Sequence, residues 1–154
     1  MTKYASDTNV SVESSRNEIE RTLTRYKADA FAYATEPGRA SIMFRMGGRQ
    51  VRFVLNLPDR QDREFTHHSR GERTESAADA AWEQACRQRW RALALVIKAK
   101  LEAASAGITT VEDEFLAHTV LADGRTVGAA IKPQVDEHYL TGGPATLFLG
   151  GPSA

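Results

Sequence analysis

The chain has a single cysteine, no long apolar run and a formal net charge of zero. Cys86 has no partner for an internal disulfide, and no apolar run approaches the roughly 18 residues of a membrane span. The first 18 residues lack an apolar core behind a basic end, so no secretory signal is predicted. These absences exclude a disulfide scaffold and a membrane-bound protein, and we expect the chain to be cytoplasmic.

The size and composition are those of an ordinary globular protein. With 154 residues, of which 42% are hydrophobic, the chain can bury about two-thirds of the surface that it exposes when unfolded. Neither disulfides nor metal are needed to hold such a core. Residues 1–154 are therefore predicted to form a single domain.

The neutral total hides a strong separation of charge along the chain. Residues 39–100 carry 13 basic and 7 acidic side chains, net +6, whereas residues 101–154 carry 2 basic and 7 acidic, net −5. Residues 1–38 are close to neutral, at −1. The basic middle predicts a cationic face suited to nucleic acid or an acidic protein. The alternative is that the acidic tail folds back and neutralises it within the monomer.

The first half of the chain predicts one helix and three strands. Ser15 and Glu18 have the spacing of a capping box, and a helix is expected from about Ser14 to Lys27. The stretches AFAYAT, ASIMFRM and RQVRFVLNL then read as antiparallel strands, with a turn at Pro37-Gly38 and a two-residue hairpin at Gly47-Gly48. This hairpin predicts three strand pairs: Met46 with Arg49, Phe44 with Val51, and Ile42 with Phe53.

The second half predicts a long helix and two shorter ones. Residues 59–76 are charged and unpatterned, so a mobile loop is expected there. Ser76 and Asp79 then cap a long helix that ends at Gly107. A further helix follows Thr109 or Thr110 through VEDEFLAH, and the last runs from about Val127 to Leu140. A short hairpin of HTVL with RTVG around Asp123-Gly124 is an alternative, and residues 141–154 are expected to form a flexible or docked tail. The predicted fold class is α+β, with helices packed on a three-stranded meander.

The long helix carries an apolar seam and a cationic ridge together. At about 100° per residue, six apolar side chains share one arc and three cations lie near the opposite side. The seam is expected to pack in the core, with Cys86 as a buried, inert thiol. The seam consists of Trp82, Cys86, Trp90, Leu93, Ile97 and Leu101, and the ridge of Arg87, Arg91 and Lys98.

The sequence supports no catalytic or cofactor site. His67-His68 resembles half of a metal site but lacks a further ligand at a recognisable spacing, and His118 and His138 follow no spacing rule. The glycine pairs match no dinucleotide-binding or phosphate-binding loop, and no serine stands in a nucleophile elbow. The chain is therefore predicted to be non-enzymatic, with no metal and no cofactor.

Three blocks of the chain resemble a family of small proteins encoded in bacteriophage and prophage genomes. They are VSVESSRNEIERTLTRY, WEQACRQRWRALALVIKAKLEA and FLAHTVLADGRTVG, and the resemblance extends from about Asn9 to Tyr139. It implies glycine at the position of Lys27 and a role inside a bacterial host cell, in replication and recombination or against host defences. It brings no catalytic residues.

The leading hypothesis is an accessory protein that binds single-stranded nucleic acid in phage replication or recombination. The alternative is a phage protein that binds and inhibits or modulates a host or phage protein, such as a defence complex, either through acidic residues that imitate nucleic acid or through the exposed helix face. A homodimer that joins sheet edges or long helices is also compatible with the pattern. The residues predicted to bind nucleic acid are the cations Arg45, Arg52, Arg87, Arg91 and Lys98, with Trp90 or Tyr33 stacking on bases. The acidic alternative depends on Glu112, Asp113, Glu114, Asp136 and Glu137.

Overall fold

The computed structural model describes residues 5–142 and confirms the α+β class. Helix α1 and a three-stranded sheet come first, a long helix α3 follows, and short helical elements lead to a C-terminal helix α5. The elements are α1 Val12–Arg25, β1 Ala30–Glu36, β2 Arg39–Met46, β3 Arg49–Asn56, α2 Arg63–Thr66, β4 His67–His68, β5 Gly71–Glu72, α3 Glu75–Ser105, α4 Val111–Glu114, a 3₁₀ turn Leu116–His118, and α5 Val127–Thr141.

The sheet has the predicted antiparallel order β1-β2-β3, and its hairpin register is confirmed. Met46 pairs with Arg49, Phe44 with Val51, and Ile42 with Phe53. Since side chains alternate across a strand, these pairs place the buried apolar residues on one face and leave the other mainly to polar and small residues, with Met43 and Val54 exposed among them. We call the first the inner face and the second the outer face.

Helices α1 and α3 both pack on the inner face of the sheet. The seam of α3 is buried as predicted, except that Trp82 is only half-buried and donates its indole N–H to the carbonyl of Pro58 at 2.8 Å. Burial of large apolar side chains from two helices and three strands is the main source of stability for such a fold. The core consists of Ile19, Leu23, Ala40, Ile42, Phe44, Met46, Val51, Phe53, Trp90, Leu93, Ala94, Ile97, Leu101 and Phe115.

Helix α1 begins a few residues earlier than predicted, because Ser11 is its cap. The Ser11 hydroxyl accepts a hydrogen bond from the backbone N–H of Ser14 at 3.1 Å. Ser15, the predicted cap, is buried inside the helix, and its hydroxyl has no partner among the described residues. The helix ends at Arg25, followed by Lys27 in the left-handed conformation at φ +69°.

Helix α3 starts at Glu75 with Thr74 as its cap, whose hydroxyl accepts from Ala77 N–H at 3.2 Å. The predicted caps Ser76 and Asp79 lie within its first turns, and Asp79 instead forms an ion pair with Arg60. The helix ends at Ser105 and is followed by Gly107, as expected. With 31 residues, α3 is the longest helix among the described residues.

The charged stretch 59–76 contains short elements, although its sequence shows no pattern. It forms α2 and the two-residue strands β4 and β5, and Phe65 is buried. The Arg73 guanidinium donates to the carbonyls of Glu64 and Phe65 at 3.0 and 3.2 Å. Because one apolar side chain and backbone carbonyls hold this segment, periodicity could not reveal it.

After α3, the chain crosses to the edge of β3. The predicted VEDEFLAH helix is divided into α4 and the 3₁₀ turn, because Phe115 enters the core with its ring centroid 5.3 Å from that of Phe44. Val120 N–H then donates to Gln50 O at 2.8 Å, which covers part of the β3 edge. The two alternatives for this region coexist, since Val120 bridges Thr126 around the Asp123-Gly124 turn and α5 follows directly. Residues 143–154 of the predicted tail lie outside the described residues.

Candidate nucleic-acid interface

The ridge of α3 does not face open solvent but lies beside α1. Gln84 of α3 donates to the carbonyls of Ser6 and Thr8, just before α1, at 3.0 and 2.9 Å. Further along, Arg91 of α3 forms an ion pair with Glu18 of α1. Because later residues of α3 meet later residues of α1, the two helices run in parallel, and the ridge borders the groove between them.

The positive charge of Arg91 is balanced by the carboxylate of Glu18 in the same chain. Both it and Glu18 retain only about a quarter of their side-chain exposure, at 24% and 29%. A partly buried pair of this kind is screened less by salt than an exposed one. Arg91 therefore serves first to join α3 to α1, and its guanidinium is less available to an external phosphate than the sequence suggested.

Arg87 and Lys98 contact no carboxylate among residues 5–142. The Arg87 Nε donates to the side-chain oxygen of Gln84 at 3.1 Å, a neutral partner that orients the guanidinium without cancelling its charge. Lys98 is half-buried and forms no ion pair in that range. These two cations of the ridge keep the charge needed for binding an anion.

Helix α1 adds two cations that the sequence analysis did not select. Arg21 and Arg25 are exposed and have no ion-pair partner among the described residues. They follow Glu18 by three and seven residues, which places them within about 60° of it around the helix, on the side towards α3. The spacing from Glu18 was visible in the sequence, but only the Glu18–Arg91 contact shows that this side meets the ridge.

The two helices therefore bring cations together beyond the ion pair. Lys98 follows Arg91 by seven residues and Arg25 follows Glu18 by seven, so both lie about 10 Å further along parallel helices. Glu102, one turn after Lys98, is the exposed carboxylate on this side of α3. We call the cations along this line the groove cluster. It consists of Arg21, Arg25, Arg87, Arg91 and Lys98.

The predicted cations of the sheet lie on a different surface. Arg45 pairs with Gln50 and Arg52 with Met43, so both arginines are diagonal neighbours on the outer face, away from the helices. Arg45 forms an ion pair with Asp29 at 2.8 Å, and Arg52 donates to the carbonyl of Gly124 at 2.9 Å. The expected single surface joining helix and sheet cations is therefore wrong, because the sheet separates the two sets.

Neither predicted aromatic side chain offers an open platform for a base. Trp90 is 2% exposed and belongs to the core, so its proposed stacking role is wrong. Tyr33 pairs with Ile42 and thus lies on the inner side of the edge strand β1, half-exposed. The Arg16 guanidinium lies 4.6 Å from the Tyr33 ring centroid and 5.7 Å from that of Trp90. One cation of α1 thus covers both rings, a contact that the seam pattern of α3 could not show.

The acidic tail neutralises little of the basic middle. Among the described ion pairs, Glu114 with Lys100, at 3.6 Å, joins these two regions. Arg45, Arg60 and Arg91 are paired with carboxylates from elsewhere in the chain. The ion pair of the groove cluster therefore comes from Glu18 of α1, and Glu102, the tail carboxylate one turn after Lys98, is not ion-paired with it.

The titratable groups selected from the sequence form no reactive centre. Burial raises the pKa of the Cys86 thiol, which disfavours the nucleophilic thiolate. Burial, with the nearby Lys100 charge, lowers the pKa of His118, whose ring stacks on Phe53 at 3.9 Å between centroids. Within residues 5–142, no three His, Cys, Asp or Glu side chains are grouped so that they could hold a metal ion.

Comparison with known protein families, with curated proteins and with solved structures finds no match to this chain. The resemblance to phage-encoded proteins therefore stays a prediction. Over the part of the chain that the structure describes, no helix combines the length and apolarity needed to cross a bilayer.

Proposed function

We propose that this protein is a non-enzymatic accessory protein that binds single-stranded nucleic acid along the groove between α1 and α3, in phage replication or recombination. The observation that carries the proposal is a set of cations along this groove that have no carboxylate partner within residues 5–142: Arg21, Arg25, Arg87 and Lys98. Cations gathered along one line attract a phosphate backbone and release its counterions on binding.

The line of cations fits a single strand of nucleic acid better than a duplex. Arg21 and Arg25 are four residues apart, about 6 Å along α1 and close to one nucleotide step of an extended strand. A duplex would present a second backbone, for which this single line of cations has no counterpart. Because Trp90 is buried and Arg16 lies over the Tyr33 ring, the expected binding is through phosphates and independent of sequence.

Anisotropy of a fluorescein-labelled oligonucleotide at low salt tests the proposal. We expect Arg25→Glu and Lys98→Glu each to weaken binding by about tenfold, since each removes a phosphate contact and adds repulsion. Arg70→Glu is the matched control: Arg70 is also exposed and lies between β4 and β5, outside both groove helices. It changes the net charge by the same amount and should leave binding within about twofold.

Three outcomes would contradict this proposal. If the unmodified chain does not bind at low salt, the groove has no affinity for phosphates. If Arg70→Glu weakens binding as much as the groove variants, net charge and not the groove determines the affinity. A larger loss for Arg45→Glu than for Lys98→Glu would also contradict it, by placing the site on the outer face of the sheet.

The acidic alternative has less support from the geometry. Its residues lie on two elements, α4 and the second half of α5, and two of them already pair with lysines of the same chain. Glu114 pairs with Lys100, and Asp136 pairs with Lys132 at 3.2 Å. Ion pairs within the chain reduce the negative field that an imitation of nucleic acid requires.

A further inference from the structure

One cation of the groove cluster differs from the other four in its partner. Nη1 of Arg91 donates to Oε2 of Glu18, whereas the remaining members contact no carboxylate among residues 5–142. The Glu18 carboxylate therefore lies at the contact between α1 and α3, within the line of cations that the proposed function assigns to a phosphate backbone.

The position of this ion pair within the cluster follows from helix spacing. Arg87 precedes Arg91 by four residues and Lys98 follows it by seven, so the pair stands between them, about 6 Å from one and about 10 Å from the other along α3. On α1, Arg25 follows Glu18 by seven residues, which is also about 10 Å. A strand that contacts cations on both sides of the pair must therefore pass the Glu18 carboxylate.

A carboxylate and a backbone phosphate offer the same kind of acceptor to a guanidinium. Both carry negative charge on oxygen atoms, and arginine binds both through its N–H donors. The Glu18 oxygen thus occupies the place that a phosphate oxygen of a passing strand would take. Because the two anions also repel each other, they compete for Arg91.

The hydrophobic core does not depend on this ion pair. Glu18 retains 29% and Arg91 24% of side-chain exposure, and neither belongs to the core cluster. An ion pair in contact with solvent contributes little to stability, so little opposes its separation. Glu18 is therefore able to turn its carboxylate towards water when a phosphate binds the guanidinium.

We infer that Glu18 is an internal substitute for a backbone phosphate, and that a bound strand displaces it from Arg91. The inference rests on the proposed function, because it concerns the same groove. It adds a fifth phosphate contact to those of the other four cations in the cluster. It also makes Glu18 the residue that weakens the affinity of the groove for a strand.

The exchange of anions at Arg91 has a distinct effect on salt dependence. When Arg91 binds a phosphate, the strand releases a counterion, but the freed Glu18 carboxylate attracts a cation from solution in return. Binding at Arg91 therefore adds little to the number of ions that the unmodified chain releases. Without the carboxylate, the same contact steepens the plot of log K against log salt concentration by roughly 0.7 for a single strand.

Anisotropy of the fluorescein-labelled oligonucleotide over a series of salt concentrations measures both the affinity and this slope. Glu18→Gln keeps the size of the side chain and removes its negative charge. We expect it to tighten binding about fivefold at low salt and to steepen the slope by roughly 0.7. Glu18→Ala, which is favourable within a helix, should have the same effects and leaves Arg91 without an acceptor at that position.

Glu20→Gln is the matched control, because it removes the same charge from the same helix. Glu20 is exposed and lies two residues after Glu18, about 200° around α1 and thus away from the groove. It should change the affinity by less than about twofold and leave the slope unchanged. Combining Glu18→Gln with Arg91→Gln should abolish the gain in affinity, since Arg91 is the cation that the carboxylate occupies. Circular dichroism checks that every variant is folded.

The inference is overturned if the unmodified chain binds and neither Glu18→Gln nor Glu18→Ala binds more tightly than Glu20→Gln. It is equally overturned if the gain of Glu18→Gln survives the removal of Arg91, because Glu18 then acts by repulsion alone. If neither the unmodified chain nor Glu18→Gln binds at low salt, the proposed function fails together with the inference. The two failures are therefore distinguishable.

Discussion

Two residues that follow helices show how a single backbone conformation constrains the sequence. Lys27 after α1 and Gly107 after α3 both have positive φ, at +69° and +77°. Each of the two helices is closed by the same hydrogen bond from the residue after the left-handed one. Ala28 N–H donates to Leu23 O after α1, and Ile108 N–H donates to Ala103 O after α3. This motif favours glycine, which suffers no clash of a Cβ atom there. The glycine implied at position 27 by the family resemblance fits this geometry.

Exchanging these residues should change stability in opposite directions. Lys27→Gly should raise the free energy of unfolding by about 1 kcal/mol, because it removes the steric cost of the left-handed conformation. Gly107→Lys should lower it by a similar amount. Urea unfolding of both variants measures the difference, and a loss of stability in Lys27→Gly would show that the lysine side chain contributes more than its backbone strain costs.

His118 predicts a dependence of stability on pH. Burial, with the Lys100 charge, lowers its pKa below the ordinary 6.5, so the folded state takes up a proton less readily than the unfolded chain. Stability should therefore be constant with respect to this group above pH 6.5 and fall as the pH drops below that value. His118→Phe keeps the stacking on Phe53 and removes the titration.

Urea unfolding near pH 7.5 and near pH 5.5 tests this. The loss of stability on acidification should be smaller in His118→Phe than in the unmodified chain. An equal loss in both would show that other groups account for the whole effect.

The sequence predicted single residues well where local rules apply and poorly where another element decides. Cys86 and Trp90 were placed on the seam from helical spacing alone. That Trp90 is fully covered depends on Arg16, which reaches it from α1. No pattern within α3 contains that information, so the possible stacking role of Trp90 could be judged only from the structure.

At the scale of elements, the hairpin was predicted in full and the segment after it was not. A two-residue Gly-Gly turn fixes the register of its strands, so every pair from Met46–Arg49 onwards follows. The β4–β5 ladder has two residues per strand, too few for alternation to be seen. Tertiary contacts of Phe65 and Arg73 hold it instead.

The attachment of α5 depends on a glycine. A methyl group at position 128 would lie 2.9 Å from the carbonyl oxygen of Ala117. In a free helix, alanine is more favourable than glycine by about 1 kcal/mol. Here Gly128→Ala should instead loosen α5, because the helix and the 3₁₀ turn must move apart.

Hydrogen exchange measures this directly. We expect faster exchange of the α5 amides in Gly128→Ala than in the unmodified chain. Gln134→Ala, at an exposed position of the same helix, is the control and should leave exchange unchanged or slower. Slower exchange in Gly128→Ala would contradict this, because it would mean that Ala117 moves away from the added methyl group without loss of stability.

At the scale of the whole molecule, the separation of charge along the sequence did not predict which cations lie together on the folded surface. The cations of the basic middle that were predicted to bind nucleic acid are divided between the groove cluster and the outer face, and the sheet lies between them. Arg21 and Arg25, which belong to the near-neutral first part of the chain, contribute to the groove. Folding, and not the order of residues, decides which cations act together.

The central claim is that the groove cluster binds phosphates, and the salt dependence of oligonucleotide binding tests it most directly. With about four available cations, the plot of log K against log salt concentration should fall with a slope of roughly −3 for a single strand. The slope should become less steep by about one in Lys98→Glu. A flat plot, or a slope that Lys98→Glu leaves unchanged, would contradict the account.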